Sequence, residues 1–464
     1  MPDPPTSRPG TPNHPPGRRR SGRTEAEPRL RALDRVQEEL AAAVDRSPAD
    51  ETEILWLESR RGRTGYRVPD LDSYRRRSRQ TTLRVREGRR PGLHRTGGAR
   101  TSEFDSAVRH ALAAARAAPP ESLPPLPEGN EAETSPTAVC DPELERLHAK
   151  AARRLLQEAL EEDEAAIIEW TVGQVAIANS RELARAERAS AVMVEVRSGR
   201  DPGAGFARHA ARSLDRLQLT RLVETARERR APEGVAATPP SGAPVLLAPE
   251  ATIELVELLN LHAFSSRSIL EGDSFLLQHT GVQVFDRRLD LADDACLKGG
   301  LPFPFDLEGV SKIPVELVSA GVPRTPALDT ATAARVGLSP TCHCTGGEEA
   351  YPLNTFLRAG EHSERDLFRI ADGGVWVSRL DEVECFDHAR MRVRARARGV
   401  RRLRSGRLAE PVIDLVWEDS LLRVFSNLLA IGATCFCRPS RDGFLGGTSA
   451  PALAVADVNG LTAA

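Results

Sequence analysis

Two Cys-x-Cys pairs, Cys342-His343-Cys344 and Cys435-Phe436-Cys437, offer the softest donors in the chain. Four thiolates set as a tetrahedron are what a structural zinc ion takes, and two loops can each deliver a pair. The C-x-C spacing crowds an ion more than C-x-x-C does, so loose thiols are the plain alternative. A hydrolytic zinc on a helix needs two histidines one turn apart with a glutamate beside them, because ligands and base must share a face. The stretch Leu259-Asn260-Leu261-His262-Ala263-Phe264-Ser265-Ser266-Arg267-Ser268 supplies one His and no Glu. Alone, His262 reads as a capped or half-buried histidine. Glu271-Gly272-Asp273 brings two carboxylates to a turn, which by itself is a turn signal. Arg75 to Arg100 and Arg390 to Arg407 could meet phosphates, but without interleaved aromatics for stacking they read as solvated faces. The sequence contains no G-x-S-x-G elbow, no G-x-x-x-x-G-K-[ST] loop and no G-x-G-x-x-G between a strand and a helix.

The elements that must carry these residues are bounded by length and composition. At 464 residues the chain exceeds what one core organises, which predicts two domains or three. Acidic and basic side chains, 66 against 64, nearly cancel, so the global field of a dedicated nucleic-acid binder is missing. Seven cysteines, an odd number, fit a reduced cytoplasmic chain better than a disulfide framework. The best apolar run, Leu421 to Phe436, is broken by Arg423 and Asn427 and does not span a membrane. Met1 to Arg29 is rich in Pro and Arg with no apolar centre, and reads as a disordered arm rather than a secretory signal.

Periodicity then sets out the elements. Leu30, Leu33, Val36, Leu40 and Val44 share a helical stripe that ends near Ser47-Pro48, and Ile54 to Leu57 reads as a strand. Arg60 to Arg100 has little apolar content, which predicts only weak edge pieces. Helices are expected at Phe104 to Ala118, Pro142 to Leu160 and Ala207 to Arg229, and strands at Ile167 to Val172, Gln174 to Ala178 and Ala191 to Val196, with Gly173 and Asn179-Ser180 as turns. Pro232 to Pro244 reads as the linker. Beyond it come strand Val245 to Leu247 and a helix opened by Pro249. Short strands follow around Val282 to Leu291, Val315 to Val318, Val375 to Leu380, Met391 to Ala397 and Val400 to Leu403, with a hairpin turn at Ser405-Gly406. A helix from Ser420 to Leu429 and a strand from Ala452 to Val458 close the chain. The fold class is α+β: an N-terminal region of helices plus antiparallel strands, and a mainly-β C-terminal domain with short helices.

The order of short motifs resembles the TldD/PmbA (TldE) family, the microcin-processing peptidase pair also called modulators of DNA gyrase. Ala243-Pro-Val-Leu-Leu-Ala-Pro-Glu250 is similar to its strand-then-helix entry, and Leu270-Glu-Gly-Asp-Ser-Phe275 follows. Leu297-Lys-Gly-Gly-Leu301, Phe305-Asp-Leu-Glu-Gly-Val310, Thr330 to Leu338, Leu353 to Gly360, Val375 to Leu380, Leu428 to Gly432 and Gly447 to Leu453 resemble successive blocks. Val175-Ala-Ile-Ala-Asn-Ser180 and the helix ending Ala117-Ala-Pro-Pro120 resemble segments of its N-terminal region. Departures are the Arg60 to Arg100 stretch, which lacks the family's glycine-rich block, and Thr341 to Tyr351, with Cys-His-Cys and Gly-Gly-Glu-Glu where a neutral loop is usual.

The resemblance implies the following organisation: a disordered arm over 1–29, an N-terminal and central α+β region over 30–231, a linker at 232–244 and the C-terminal domain over 245–464. The TldD branch carries His-Glu-x-x-x-His just before the Glu-Gly-Asp turn and a Cys near the end. Here that box is replaced by His262 to Ser268, with Cys435 or Cys437 near the position of the cysteine. The chain therefore looks like the TldE/PmbA side: a non-metal-binding, cytoplasmic subunit that joins a zinc-bearing TldD-like metalloprotease subunit in a heterodimer acting on unfolded or modified, extended peptides. Zinc is expected in the partner, with no catalytic or metal residue and no cofactor here, no membrane and no specific nucleic acid. One alternative is a self-sufficient metal-binding peptidase drawing ligands from His262, Cys342, His343, Cys344, Cys435 and Cys437. Another is a non-enzymatic scaffold or binding protein.

Overall fold

The computed structural model describes residues 30–463 except 70, 72, 98–102, 129–137, 202, 232–241, 298, 348, 441–442 and 459–460. The arm over 1–29 and most of the linker therefore lie outside the described residues. The first region runs α1 (Leu33–Asp45), β1 (Glu51–Tyr66), β2 (Tyr74–Glu87), β3 (Arg90–Gly97), α2 (Phe104–Ala117), α3 (Pro142–Arg146), α4 (Ala149–Ala159), β4 (Glu164–Asn179), β5 (Ala184–Ser198), β6 (Gly205–Ala211) and α5 (Leu219–Glu228). Its six strands form one sheet in the order β3-β2-β1-β4-β5-β6, every neighbour antiparallel. Both faces are covered. Ile54 and Trp56 of β1 pack with Val36, Leu40 and Ala111 of α1 and α2, whereas Leu55, on the opposite face, meets Val175, Ile177, Phe303 and Phe444. Double coverage is why Ile54 to Leu57 is a continuous apolar run rather than an alternating one.

Several expectations fail here for physical reasons. The Arg60 to Arg100 stretch is not a set of weak edge pieces: β1 lies inside the sheet, and β1 and β2 pair over 13 register positions. Charge complementarity at part of the ladder adds to its buried apolar pairs such as Ile54 and Leu83. Glu53 stands opposite Arg84 and Glu51 opposite Arg86, each an ion pair. The helix expected over Pro142 to Leu160 breaks at Leu147-His148, because the His148 imidazole caps α4 by accepting from Ala151 N at 3.1 Å. Gly173 is no turn. The strand β4 runs through it, and a Cβ there would meet the Phe444 ring at 2.2 Å, so glycine is required for close approach. The span Ala207 to Arg229 begins as β6 and turns helical only at Leu219, since pairing with β5 overrides alanine's helix preference.

The second region begins with β7 (Val245–Leu247), α6 (Pro249–His262), α7 (Ser266–Glu271), α8 (Leu276–His279), β8 (Leu291–Asp293), β9 (Val315–Ser319), β10 (Val322–Pro323), α9 (Thr330–Val336), β11 (Asn354–Leu357) and α10 (Glu364–Ile370). It continues with β12 (Val375–Val377), β13 (Arg379–Asp387), β14 (Arg392–Arg398), β15 (Arg401–Arg404), β16 (Arg407–Pro411), β17 (Leu415–Ser420), α11 (Leu421–Ser426), β18 (Leu428–Pro439), β19 (Gly447–Val455) and β20 (Thr462–Ala463). A ten-stranded mixed sheet follows the order β10-β9-β8-β11-β19-β7-β12-β15-β16, with β18 on β19, and a four-stranded sheet follows β13-β14-β17-β20. Ser405 and Gly406, both at positive φ, make the β15–β16 hairpin as expected. Only Leu291 belongs to a strand in the span Val282 to Leu291, and Val375 to Leu380 divides at the buried Ser378 between two sheets. The helix expected to reach Leu429 stops at Ser426, and the last long strand starts earlier, at Gly447. The class is α+β.

The two regions share a polar joint. Arg212, 3% exposed, donates to the carbonyls of Ser190 (2.9 Å), Phe444 (2.7 Å), Leu301 (2.6 Å) and Pro302 (2.5 Å). Burial pulls its pKa down to about 9. No helix among the described residues is long and apolar enough to cross a membrane.

Candidate functional site

Helix α6 starts at Pro249, whose missing N–H costs nothing in the first turn, and its last residue is His262. Ser265 caps α7 by accepting from Ser268 N at 3.3 Å, and Gly272 ends it at φ 74°. The segment between them is closed on itself. Ser265 Oγ donates to Leu261 O (2.6 Å), Ser268 Oγ donates to Ser265 O (3.0 Å), and Ser266 Oγ accepts from Ala350 N (2.7 Å). Phe264 is fully buried. Every serine hydroxyl of this stretch is therefore engaged, with a cap, a carbonyl of its own segment or the Ala350 N–H.

His262 meets a residue that spacing could not connect to it. His388, from the turn between β13 and β14, stacks on it with ring centroids 4.2 Å apart and planes 26° from parallel. His388 Nδ1 donates to Asp273 Oδ2 at 2.6 Å, so the Glu271-Gly272-Asp273 turn supplies one carboxylate to the pair. Burial, and then the neighbouring His388, lower the His262 pKa, against a smaller pull from Asp273. In-plane nitrogen lone pairs of two stacked rings do not point at a common centre, so the pair is a stack rather than a chelate.

The Cys-x-Cys pairs stay apart in function. Cys342, at φ 61°, and the buried Cys344 lie beside Asp306 and Glu308; Cys344 N donates to Asp306 Oδ2 at 3.0 Å. Burial, then these carboxylates, push the Cys342 thiol to about 12 and the Cys344 thiol well up. Cys435 and Cys437 sit on β18, and burial raises both thiols to about 11. Cys435 lines a cavity of about 370 Å³ with His209 and His362, and Cys437 N donates to His209 Nδ1 at 3.4 Å. Among the described residues no three His, Cys, Asp or Glu side chains converge as a metal-binding group. The tetrad and the His/Cys ligand set considered from sequence are not brought together among the described residues.

His343 has a different employment. Fully buried, it donates from Nδ1 to Thr341 O at 2.5 Å and places Nε2 3.2 Å from Asp293 Oδ1. Burial alone would raise the Asp293 carboxyl; His343, Lys312 and the Asn354 N–H hold it at about 2. Lys312 is 2% exposed, and the Asn354 amide, with its oxygen toward Lys312 Nζ (2.5 Å) and its nitrogen toward Leu301 O (2.9 Å), completes the cluster. Next to it Arg84 bridges Glu53 (2.7 Å) and Glu308 (2.6 Å), while Asp306 accepts from the N–H groups of Glu308 and Val310, both at 3.0 Å. Burial, followed by Glu308's charge, raises Asp306 to about 7. Burial likewise raises Glu53 to about 7 in spite of Arg84. In the sequence Arg84 stands inside a stretch that reads as a solvated face, and Asp306 and Glu308 inside the Phe305 to Val310 block noted only for its resemblance.

The geometry can be set beside known proteins. Residues 240–460 match the model of the PmbA/TldA metallopeptidase C-terminal domain. A protein described as a metalloprotease from Methanothermobacter thermautotrophicus is 28% identical over 205 residues, 43% of this chain and 44% of that protein, so the match spans less than half of the relative's length. The fold is similar to that of TldE from Thermococcus kodakarensis (TM-score 0.77, 18% identity, 92% of this chain and 99% of that one). It is also similar to that of a protein described as a modulator of a DNA gyrase from Thermotoga maritima (TM-score 0.75, 21% identity, 92% and 99%). The fold is thus of the TldE type, and residues 240–460 match the PmbA/TldA metallopeptidase C-terminal domain.

Proposed function

We propose that this chain is a TldE-like, non-metal-binding subunit of a heterodimeric metalloprotease, pairing with a zinc-bearing TldD-like subunit in the cytoplasm and helping to hold extended, unfolded or modified peptides. The observation that carries this reading is the packing of Ala263 to Ser268. At the place where the resemblance puts ligands and base, the side chains include a buried phenyl ring and serines whose hydroxyls are engaged with backbone groups. Two further features support it. Leu261, Leu270, Leu277 and Val282, all on the same stretch of chain, are 43–54% exposed, an apolar surface suited to a protein partner. The strand β18 pairs with β19 along its length and on its other side meets Gly360 to His362 around Gly432, and its remaining length on that side offers a place for backbone pairing with an extended peptide. The test is co-expression with a family member that carries His-Glu-x-x-x-His. Stable co-purification, with chelator-sensitive peptide cleavage by the pair and none by the isolated chain, is the expected result. Chelator-sensitive cleavage by the isolated chain, with near-stoichiometric zinc, would overturn the proposal.

A further inference from the structure

An arginine cluster distant in sequence from the residues above surrounds a cavity of about 310 Å³, lined by Leu30, Arg60, Glu145, Arg146 and Arg188. Arg60, on β1, is only 7% exposed. Its guanidinium donates to the Glu145 carbonyl, and its Nε is buried without a partner. Directly opposite it in the β1–β2 register stands Arg77, a like-charge pair that is destabilising unless something neutralises it. The nearby carboxylates are already occupied. Glu145 accepts from Arg188 Nη1 at 2.8 Å. Glu58, its side chain fully buried, accepts from both Arg77 (2.7 Å) and Arg79 (2.6 Å), and from Gln174 Nε2 at 2.9 Å. Arg146 is exposed on α3. In the lining of the cavity itself three guanidinium groups, those of Arg60, Arg146 and Arg188, therefore face one carboxylate, Glu145. A buried cation left without full compensation is costly, and a planar guanidinium is matched to oxyanions by its paired N–H donors.

We propose that this cavity is a binding site for a phosphate group, with Arg60 at its floor, Arg188 on its wall and Arg146 at its rim. A tetrahedral dianion answers the excess of guanidinium charge better than a single carboxylate, and charge-assisted bonds from two or three arginines are the strong kind. The phosphate arrives either free or carried on a small molecule, and the volume admits both.

The test is calorimetric titration of the purified full chain with inorganic phosphate, with adenosine diphosphate and with citrate, each against chloride at matched ionic strength. Saturable binding of inorganic phosphate, of adenosine diphosphate, or of both is expected, and their ratio tells free from carried phosphate. Arg60→Gln weakens binding by about tenfold or more, and Glu145→Gln, which removes a competing carboxylate, strengthens it. Because Arg60 is buried and its variant is at risk of misfolding, Arg146→Gln, on the surface, provides a second reading with a loss of about threefold. Binding of citrate as tight as that of the phosphates, no saturable binding beyond the chloride control, or unchanged binding by both arginine variants would overturn the assignment.

Discussion

Replacing Arg84 with Met is the most direct probe of the ionic joint between the first sheet and the C-terminal region. The side chains of Arg84, Glu53 and Glu308 are 14%, 3% and 2% exposed, so the substitution leaves two carboxylates in the interior with their cation gone. Breaking a buried pair from one side costs about 3–5 kcal/mol, most of it the penalty on the partner left behind. That penalty depends on pH, and its sign follows from the raised carboxyls. Glu53 and Asp306 both titrate at about 7 in the folded chain, above their ordinary 4.5 and 3.8. A group whose folded pKa is raised contributes stability that is full below its unfolded value and lost as pH rises through the folded one. Arg84 lowers the Glu53 pKa, so removing it pushes that carboxyl higher and widens the deficit on the alkaline side. Near pH 8 the loss should reach about 3–5 kcal/mol. Near pH 5, where the Glu53 carboxyl is protonated, its share of the penalty is gone and the loss should be smaller by about 1–2 kcal/mol. Urea unfolding at the two pH values, followed by fluorescence of the buried Trp56 and Trp170, measures both. Equal losses at the two pH values, or a loss under about 1 kcal/mol near pH 8, would refute the account of this joint.

Gly173→Val drives a side chain into the Phe444 ring, and the overpacked strand should lose about 1–3 kcal/mol; an unchanged unfolding midpoint would contradict the close approach described. With a maleimide reagent at neutral pH, Cys296, which is exposed, should be labelled in the native chain, whereas Cys344 and Cys437, both buried with raised pKa, should react only after denaturation. Mass spectrometry of peptides reads the difference, and native labelling of Cys344 at the Cys296 rate would contradict it. His262→Ala removes a stacking partner rather than a ligand, so peptide cleavage by the reconstituted pair should stay within a few-fold; a loss of about a hundredfold or more would show that the stack takes part in the chemistry.

Much of the fold is legible in apolar spacing. The helices α1, α2 and α6 announce themselves by their stripes, and Val245 to Leu247 followed by Pro249 marks the strand-to-helix entry. The long hairpin of β1 and β2 does not, because part of its ladder is made of Glu–Arg pairs that only the register brings together. The site was legible to a similar depth. Motif order pointed to the segment around His262, but not to His388, which lies 126 positions along the chain and reaches His262 only through the β13–β14 turn. His343 looked like a ligand because it stands between two cysteines; its role as partner of Asp293 depends on β8 and the loop after α9 folding against each other. Buried ionic clusters carry no local periodicity, so charged stretches such as Arg75 to Arg100 read as surface until the partner residues are placed.

Arg212 has one more implication. Its four acceptors are all main-chain oxygens, so what it recognises is the path of the polypeptide at 301–302 and 444 rather than the identity of the residues there. Changes of side chain at those three places leave these main-chain acceptors themselves in place, while a lysine at 212, with one nitrogen, could not reach every oxygen at once. A protease nick anywhere in 232–241 would accordingly cut the chain without separating its two pieces, which should travel together until a denaturant releases them.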